Sequence, residues 1–170
     1  MATTFDRTKL DTGTLDIRPM TPAIGAEILG IDLGSTDIGD RIPQIRAALL
    51  KHGVIFFRDQ TLTPEQHIAF AKRWGTININ RFCATVDGYP MIAEVRKEPD
   101  QNDNIGGDWH TDHSYDEAPA MGSILYAREL PETGGDSLFA SMHHAYEALS
   151  DGMKSMLGGL RAVHSSRHVY

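Results

Sequence analysis

A His-x-Asp pair followed by a Gly-Gly turn constrains this chain more than any other feature. His110 and Asp112 lie one residue apart, and Gly134-Gly135 then leads into a short apolar run at 136–140. In an extended strand, residues i and i+2 point to the same face, so the two side chains should aim at one point. An imidazole and a carboxylate on one face are two of the three ligands of the facial triad that holds non-haem Fe(II). The pair is therefore a candidate iron site.

The pair carries little weight when it is taken alone. Eight histidines and fifteen aspartates among 170 residues would give roughly 0.7 His-x-Asp pairs by chance. A surface histidine that happens to lie near an aspartate is the alternative interpretation. Only motifs elsewhere in the chain can distinguish an iron site from a chance pair at the surface.

Length, composition and charge restrict the classes of protein to which this chain can belong. A length of 170 residues suits one domain, and fractions of 41% hydrophobic and 23% charged residues are ordinary for a soluble globular protein. The net charge is −7 and the basic residues are scattered, so we expect no nucleic-acid partner. We also expect no membrane association and a cytoplasmic location, because no signal peptide or membrane-spanning run is evident. The single cysteine, Cys83, excludes a disulfide within the chain.

Helix signals occur in both halves of the chain. The clearest is Thr63–Trp74, where Thr63 and Gln66 form a capping box and Pro64 takes the first helical position. A helix is also predicted over Asp40–His52, with Asp40 as its cap and Gly53 at its end. Ser141 should cap a third helix that runs to Leu149 with Met142, Ala145, Tyr146 and Leu149 facing inward, and one or two further turns should cover 153–157.

Strand signals separate these helices. Apolar or alternating runs bounded by turn residues predict strands, and a polar run rich in Gly, Asn and Asp predicts a loop at 97–107. The predicted strands are short ones within 17–33, one at 54–57 that is buried on both faces, and others at 77–83, 91–95, 121–128, 136–140 and 160–165.

These pieces together resemble the TauD/TfdA family of Fe(II)- and 2-oxoglutarate-dependent dioxygenases. The matching segments follow the order of that family from about residue 19 onward. They are Val54–Gln60, Thr63–Gln66, Trp109–Asp112, Glu129–Pro131 with Gly134–Ser137, Ala145–Leu149 and Gly159–His164.

The resemblance implies a mixed α+β fold. This fold is a double-stranded β-helix, or jelly roll, with flanking helices, and the second half of the barrel is missing from this chain. Residues 1–16 are interpreted as a loose tail and residues 17–170 as the N-terminal part of the dioxygenase domain. An incomplete barrel leaves strand edges unpaired, so we expect that the chain folds poorly alone or that it needs a partner or the missing half.

The resemblance also assigns roles to individual residues. The metal ligands for Fe(II) would be His110 and Asp112, and the hydroxyl of Ser137 would bind the distal carboxylate of the co-substrate 2-oxoglutarate. The substrate pocket would include Asn80, Tyr115 and Tyr170. Taurine-type members carry a histidine where this chain has Asn80, which argues against taurine as the substrate. The family's third iron ligand, a second histidine, and an arginine that binds the co-substrate would lie beyond Tyr170.

The implied activity is hydroxylation of a small organic acid by O2, of the sulfonate or aryloxyalkanoate type, with succinate and CO2 as co-products. Two alternatives stay open. The chain is a catalytically incomplete fragment that acts at most as a metal- or partner-binding module, or it is a hydrolase with zinc at His110, Asp112 and His113. A homo-oligomer is also left open.

Overall fold

The computed structural model describes residues 10–102 and 106–168. Within these ranges lie two small sheets, four helices and a short 3-10 turn at Ser166–His168. In chain order they are β1 (Asp16–Pro19), β2 (Ala26–Leu29), α1 (Ile38–His52), β3 (Ile55–Phe56), α2 (Pro64–Lys72), β4 (Thr85–Val86), β5 (Tyr89–Ala93), α3 (Met142–Glu147) and α4 (Asp151–Leu157).

The first sheet has the order β1-β2-β3. β1 and β2 form an antiparallel hairpin in which Asp16 pairs with Leu29 and Pro19 with Ala26. Its turn is closed by Thr21, whose hydroxyl accepts a hydrogen bond from the amide of Ile24 at 3.0 Å. β3 then pairs with β2 in parallel, and α1 lies between the two in sequence. A parallel pair requires a crossover of this kind, because a tight turn can join only antiparallel strands.

The hydrophobic core lies where α1 and α2 cover this first sheet. Ile45 of α1 is completely buried, and Ile28 of β2 is 2% exposed. Phe70 of α2 packs edge-on against Trp74 with ring centroids 6.0 Å apart. Tyr126 reaches this core from much later in the chain. Complete burial of an aliphatic side chain contributes about 1.5–3 kcal/mol, so this cluster is the main source of stability.

The two N-terminal helices confirm most of what the sequence predicts. In α2 the Thr63 side chain accepts from the amide of Gln66, the Gln66 side chain accepts from the amide of Thr63, and Pro64 opens the helix. Gly53 ends α1 with φ +75°, a conformation that favours glycine. The predicted start of α1 is wrong: the helix begins at Ile38, so Asp40 lies in its first turn. An acidic residue there still stabilises the positive end of the helix.

The strand predictions succeed only in part. Val54–Phe57 contains β3, but its residues are half-buried, so the predicted burial on both faces is wrong. The run at 91–95 overlaps β5, which pairs with β4 in an antiparallel hairpin. The stretches 77–83, 121–128, 136–140 and 160–165 contain no strand, so these predictions are wrong. Strands need a pairing partner, and these apolar stretches find none among the described residues.

Helices α3 and α4 form where helices are predicted but do not bury an apolar face, and α3 ends at Glu147 rather than at the predicted Leu149. Ser141 caps α3 by accepting from the amide of His144, and Ser150 caps α4 by accepting from the amide of Met153. The predicted inward orientation is wrong, since no residue of α3 is buried and Met142 is 66% exposed. Local capping is sufficient to define these helices, although little packs against them.

The two small sheets do not close into a barrel within the described part of the chain, and the jelly roll stays a prediction. The division at residue 16 also stays a prediction, although Leu15 already packs against the core and Asp16 begins β1. Over the ranges 10–102 and 106–168, no helix combines the length and the apolar character that crossing a membrane requires.

Candidate metal centre

The segment that carries the His-x-Asp pair is a loop rather than a paired strand. His113 has φ +53°, and its carbonyl accepts from the amide of Asp116 at 3.0 Å, so the chain turns directly after the pair. The two side chains nevertheless converge, because Nε2 of His110 lies 3.2 Å from Oδ1 of Asp112. The two groups therefore meet through the local conformation of this loop and not through strand pairing.

His110 is oriented by the backbone beside it. Its Nδ1 lies 2.7 Å from the carbonyl oxygen of Asp108. A carbonyl can only accept, so Nδ1 carries the hydrogen, and in the neutral imidazole Nε2 then presents its lone pair. Histidines that bind metals commonly donate their second ring N–H in this way.

A metal ion fits between these two side chains by distance and by charge. Two neighbouring ligands of an octahedral ion with bonds of about 2.1 Å lie roughly 3 Å apart, and Nε2 of His110 and Oδ1 of Asp112 are separated by 3.2 Å. The neutral imidazole nitrogen and the carboxylate oxygen are both acceptors, and they repel unless a proton or a metal cation lies between them. Imidazole and carboxylate are donors that ferrous iron accepts.

Asp112 has a second partner that the sequence did not indicate. The hydroxyl of Ser123 donates to Oδ2 of Asp112 at 3.1 Å, so the two carboxylate oxygens have different neighbours. Ser123 lies in 121–128, a stretch predicted as a strand from its apolar residues. The only signal in the sequence was a single hydroxyl within this apolar stretch, and it does not indicate that Ser123 contacts Asp112.

His113 belongs to a separate cluster with Asp116 and Arg81. Its Nδ1 lies 3.0 Å from Oδ2 of Asp116, and the Arg81 guanidinium contacts the other oxygen of that carboxylate. The hydrogen bond from His113, assisted by the positive charge of Arg81, lowers the pKa of Asp116. The cluster joins the turn after the metal pair to the loop that precedes β4.

The predicted substrate residues Asn80 and Tyr115 lie on the two loops that this cluster joins. Oδ1 of Asn80 accepts from the amides of Phe82 and Cys83 at 2.8 and 3.0 Å, which stabilises its turn. The Tyr115 ring packs against Phe82 and His113 with centroid distances of 6.0 and 5.7 Å. Both residues therefore help to build the loops, and their contact with a substrate stays a prediction.

The structure says less about the two remaining predicted site residues, Ser137 and Tyr170. Ser137 is exposed and lies in a stretch without strand pairing, so its contact with a co-substrate stays a prediction. Tyr170 lies outside the described residues.

Comparison with known proteins identifies the family of this chain. The sequence model for the family described as "Taurine catabolism dioxygenase TauD, TfdA family" matches residues 16–170. The chain belongs to the TauD/TfdA family. This TauD/TfdA chain is 34% identical over 157 residues to an (S)-phenoxypropionate/alpha-ketoglutarate-dioxygenase of Sphingobium herbicidovorans, a match that covers 88% of the chain and 53% of the relative.

Two further proteins extend the comparison. An alpha-ketoglutarate-dependent sulfate ester dioxygenase of Pseudomonas putida is 35% identical, with 92% of this chain and 51% of the relative covered. The crystal structure of a taurine dioxygenase from Burkholderia xenovorans aligns with a TM-score of 0.77 at 34% identity, covering 92% of this chain and 56% of that one. This TauD/TfdA chain therefore spans about half the length of the curated relatives it matches, which confirms the predicted match to the N-terminal portion.

The TauD/TfdA chain brings together two candidate metal ligands but no third one in the part that is described. No group of three or more His, Cys, Asp or Glu side chains that could hold a metal occurs in residues 10–102 and 106–168. The zinc alternative required His113 as a third ligand, but His110, Asp112 and His113 do not form a group that could hold a metal among the described residues. The structure therefore gives the zinc alternative no support.

Proposed function

We propose that this chain forms the N-terminal part of an Fe(II)- and 2-oxoglutarate-dependent dioxygenase that hydroxylates a small organic acid. The observation that carries the proposal is the 3.2 Å separation between Nε2 of His110 and Oδ1 of Asp112. The proposed fold is the family's jelly roll, with the second half of the barrel outside this sequence. A cytoplasmic location and a homo-oligomer are further proposals.

The roles proposed for individual residues follow from this assignment. His110 and Asp112 would hold Fe(II), which together with 2-oxoglutarate supplies oxygen activation, with succinate and CO2 as co-products. Ser137 would donate its hydroxyl to the distal carboxylate of 2-oxoglutarate. The Asp108 carbonyl keeps the hydrogen of His110 on Nδ1 and so leaves Nε2 free to bind the metal.

The substrate proposed is a sulfonate, a sulfate ester or an aryloxyalkanoate. The names of two relatives point to sulfate esters and phenoxypropionate. The oxygen of Asn80 is already used by two backbone amides, so its NH2 group is the part that can donate to an anionic substrate. Tyr115 and Tyr170 would line the same pocket and exclude water from the reacting carbon.

An anaerobic Fe(II) titration of the 170-residue chain tests the metal assignment. We expect one weak site in the wild type and no detectable site in His110→Ala or Asp112→Ala. His143→Ala is the matched control, because His143 lies on the exposed helix α3 and should leave the affinity unchanged. Equal affinity in wild type and His110→Ala would remove the assignment.

A second candidate is a catalytically incomplete module that binds a metal or a partner. Two observations favour it for this chain alone: the described residues lack a third ligand, and large apolar side chains such as Leu138 and Val163 are 74% and 98% exposed. Fe(II)-dependent decarboxylation of 2-oxoglutarate distinguishes the candidates. Turnover by the 170-residue chain supports the enzyme, whereas metal binding without turnover supports the module.

A further inference from the structure

The carboxylate of Asp112 has a different neighbour at each of its two oxygens. Its Oδ1 faces Nε2 of His110 at 3.2 Å, while its Oδ2 accepts a hydrogen bond from the hydroxyl of Ser123 at 3.1 Å. The side chain of Asp112 is 56% exposed, so little packing restricts it. Rotation of a carboxylate about its last bond is soft, and a hydrogen bond to one oxygen restricts that rotation and so the direction in which the other oxygen faces the imidazole.

The orientation of Asp112 thus depends on where the stretch 121–128 is held. This stretch has no strand pairing, and Leu125 within it is 76% exposed. Regular structure in the stretch itself therefore does not fix the position of Ser123. The stretch 121–128 must therefore be attached to the rest of the molecule by specific side chains.

Tyr126 provides that attachment, three residues after Ser123. Its hydroxyl accepts from the amide of Leu62 at 3.2 Å and donates to the carbonyl of Gln60 at 3.2 Å. Its ring packs edge-on against His67, with centroids 6.0 Å apart. The ring and the hydroxyl of Tyr126 both contact the N-terminal core, so this side chain links the stretch 121–128 to that core.

The groups that receive Tyr126 are themselves fixed. The Gln60 side chain donates to the carbonyl of Ile31 at 2.8 Å and accepts from the amide of Leu33 at 2.9 Å. Leu62 is 8% exposed and belongs to the core cluster. His67 adds a hydrogen bond to the backbone of Ile124, the neighbour of Ser123. A continuous set of contacts therefore runs from the core to the carboxylate of Asp112.

We propose that Ser123 is a positioning residue that orients the carboxylate of Asp112, and that Tyr126 anchors the stretch that presents Ser123. The proposal rests on the proposed role of Asp112 as a metal ligand. Hydrogen-bond partners of metal-binding carboxylates and histidines typically contribute about 10–100-fold to metal affinity. The hydroxyl of Ser123 has the same relation to Asp112 that the carbonyl of Asp108 has to His110.

Mn(II) binding to the full 170-residue chain, followed by electron paramagnetic resonance of the free ion, tests the proposal. Ser123→Ala should weaken binding about 10-fold or more, and Ser123→Thr should restore it, because the exposed site has room for a methyl group. Ser155→Ala is the matched control, since Ser155 is an exposed serine on helix α4. Tyr126→Phe keeps the ring and removes both hydrogen bonds, so a smaller loss is expected.

A second readout without metal separates this proposal from the proposed function. The carboxylate ¹³C resonance of Asp112 should move in Ser123→Ala and stay in place in Ser155→Ala. Unchanged Mn(II) affinity in Ser123→Ala, with binding lost in His110→Ala, would overturn the positioning role alone. If the wild type binds no Mn(II), the metal assignment fails, and an unmoved Asp112 resonance in Ser123→Ala would overturn the hydrogen bond as well. Circular dichroism checks that each variant retains its helices.

Discussion

The two regions of this chain, residues 10–93 and 106–168, carry similar local signals but very different amounts of burial. Both contain helices that begin at a Ser or Thr cap. All nine buried hydrophobic residues among those described lie between Ala26 and Phe70. The second region instead contributes fourteen of the twenty large hydrophobic side chains that are exposed. Local capping thus defines helices in both regions, while a core exists only in the first.

The candidate site lies in the region that lacks a core. His110, Asp112 and Ser123 belong to the second region, and Tyr126 ties their surroundings to the first. A metal site requires a rigid support to hold its ligands in place. Within the described residues, the candidate site is therefore held in place by contacts to the N-terminal core. Its rigidity depends on the few side chains that make those contacts.

The largest expected difference between the regions is in the cost of removing an apolar side chain. Ile45→Ala removes a completely buried side chain and should lower the free energy of unfolding by about 2–5 kcal/mol. Leu138→Ala removes one that is 74% exposed, and its effect should stay within about 0.5 kcal/mol. Urea unfolding followed by circular dichroism measures both. A cost above 1 kcal/mol for Leu138→Ala would show that the second region packs after all.

A smaller difference is expected from the helix caps. Thr63 and Ser150 each accept a backbone hydrogen bond at 3.3 Å, so the local interaction is matched. Thr63→Ala should reduce the free energy of unfolding by about 1 kcal/mol, because α2 is part of the core. Ser150→Ala should reduce the helix content of α4 and leave the urea midpoint in place. Equal shifts of the midpoint would contradict the contrast between the regions.

The same contrast explains which parts of the fold the sequence could predict. The capping box at Thr63 and the glycine at the end of α1 act between neighbours in sequence, and both were predicted correctly. The strand predictions at 121–128, 136–140 and 160–165 were wrong, because apolar alternation indicates only that a stretch could pair. Pairing needs a partner strand, which lies elsewhere in a sequence and leaves no local signal.

The candidate site also has one part that the sequence could predict and another that it could not. The convergence of His110 and Asp112 was expected from an extended strand, and the two side chains do meet, although the segment is a loop. Ser123 and Tyr126 contact partners 11 and 64 residues away. No periodicity in a single sequence connects positions so far apart, so both contacts required the structure.

The smallest effect expected is a pH dependence where the two regions meet. Burial is the main cause that lowers the pKa of His67 below 6.5, and its hydrogen bond to the backbone of Ile124 opposes this only partly. The unfolded chain then takes up a proton on His67 at a higher pH than the folded chain does. Stability contributed at this position is therefore complete above 6.5 and decreases as the pH falls through the folded-state pKa.

Hydrogen exchange at the Leu62 amide measures how stable the contact between the two regions is, because that amide donates a hydrogen bond to the hydroxyl of Tyr126. We expect its protection to decrease as the pH falls below 6.5 in the wild type, once the intrinsic pH dependence of exchange is subtracted. His67→Gln should remove that decrease. His52→Gln is the control, since burial also lowers the pKa of His52, which ends α1 within the first region. If both variants lose the decrease equally, the pH dependence belongs to the N-terminal core as a whole. If only His67→Gln loses it, protonation of His67 loosens the contact that supports Ser123 and, through it, Asp112.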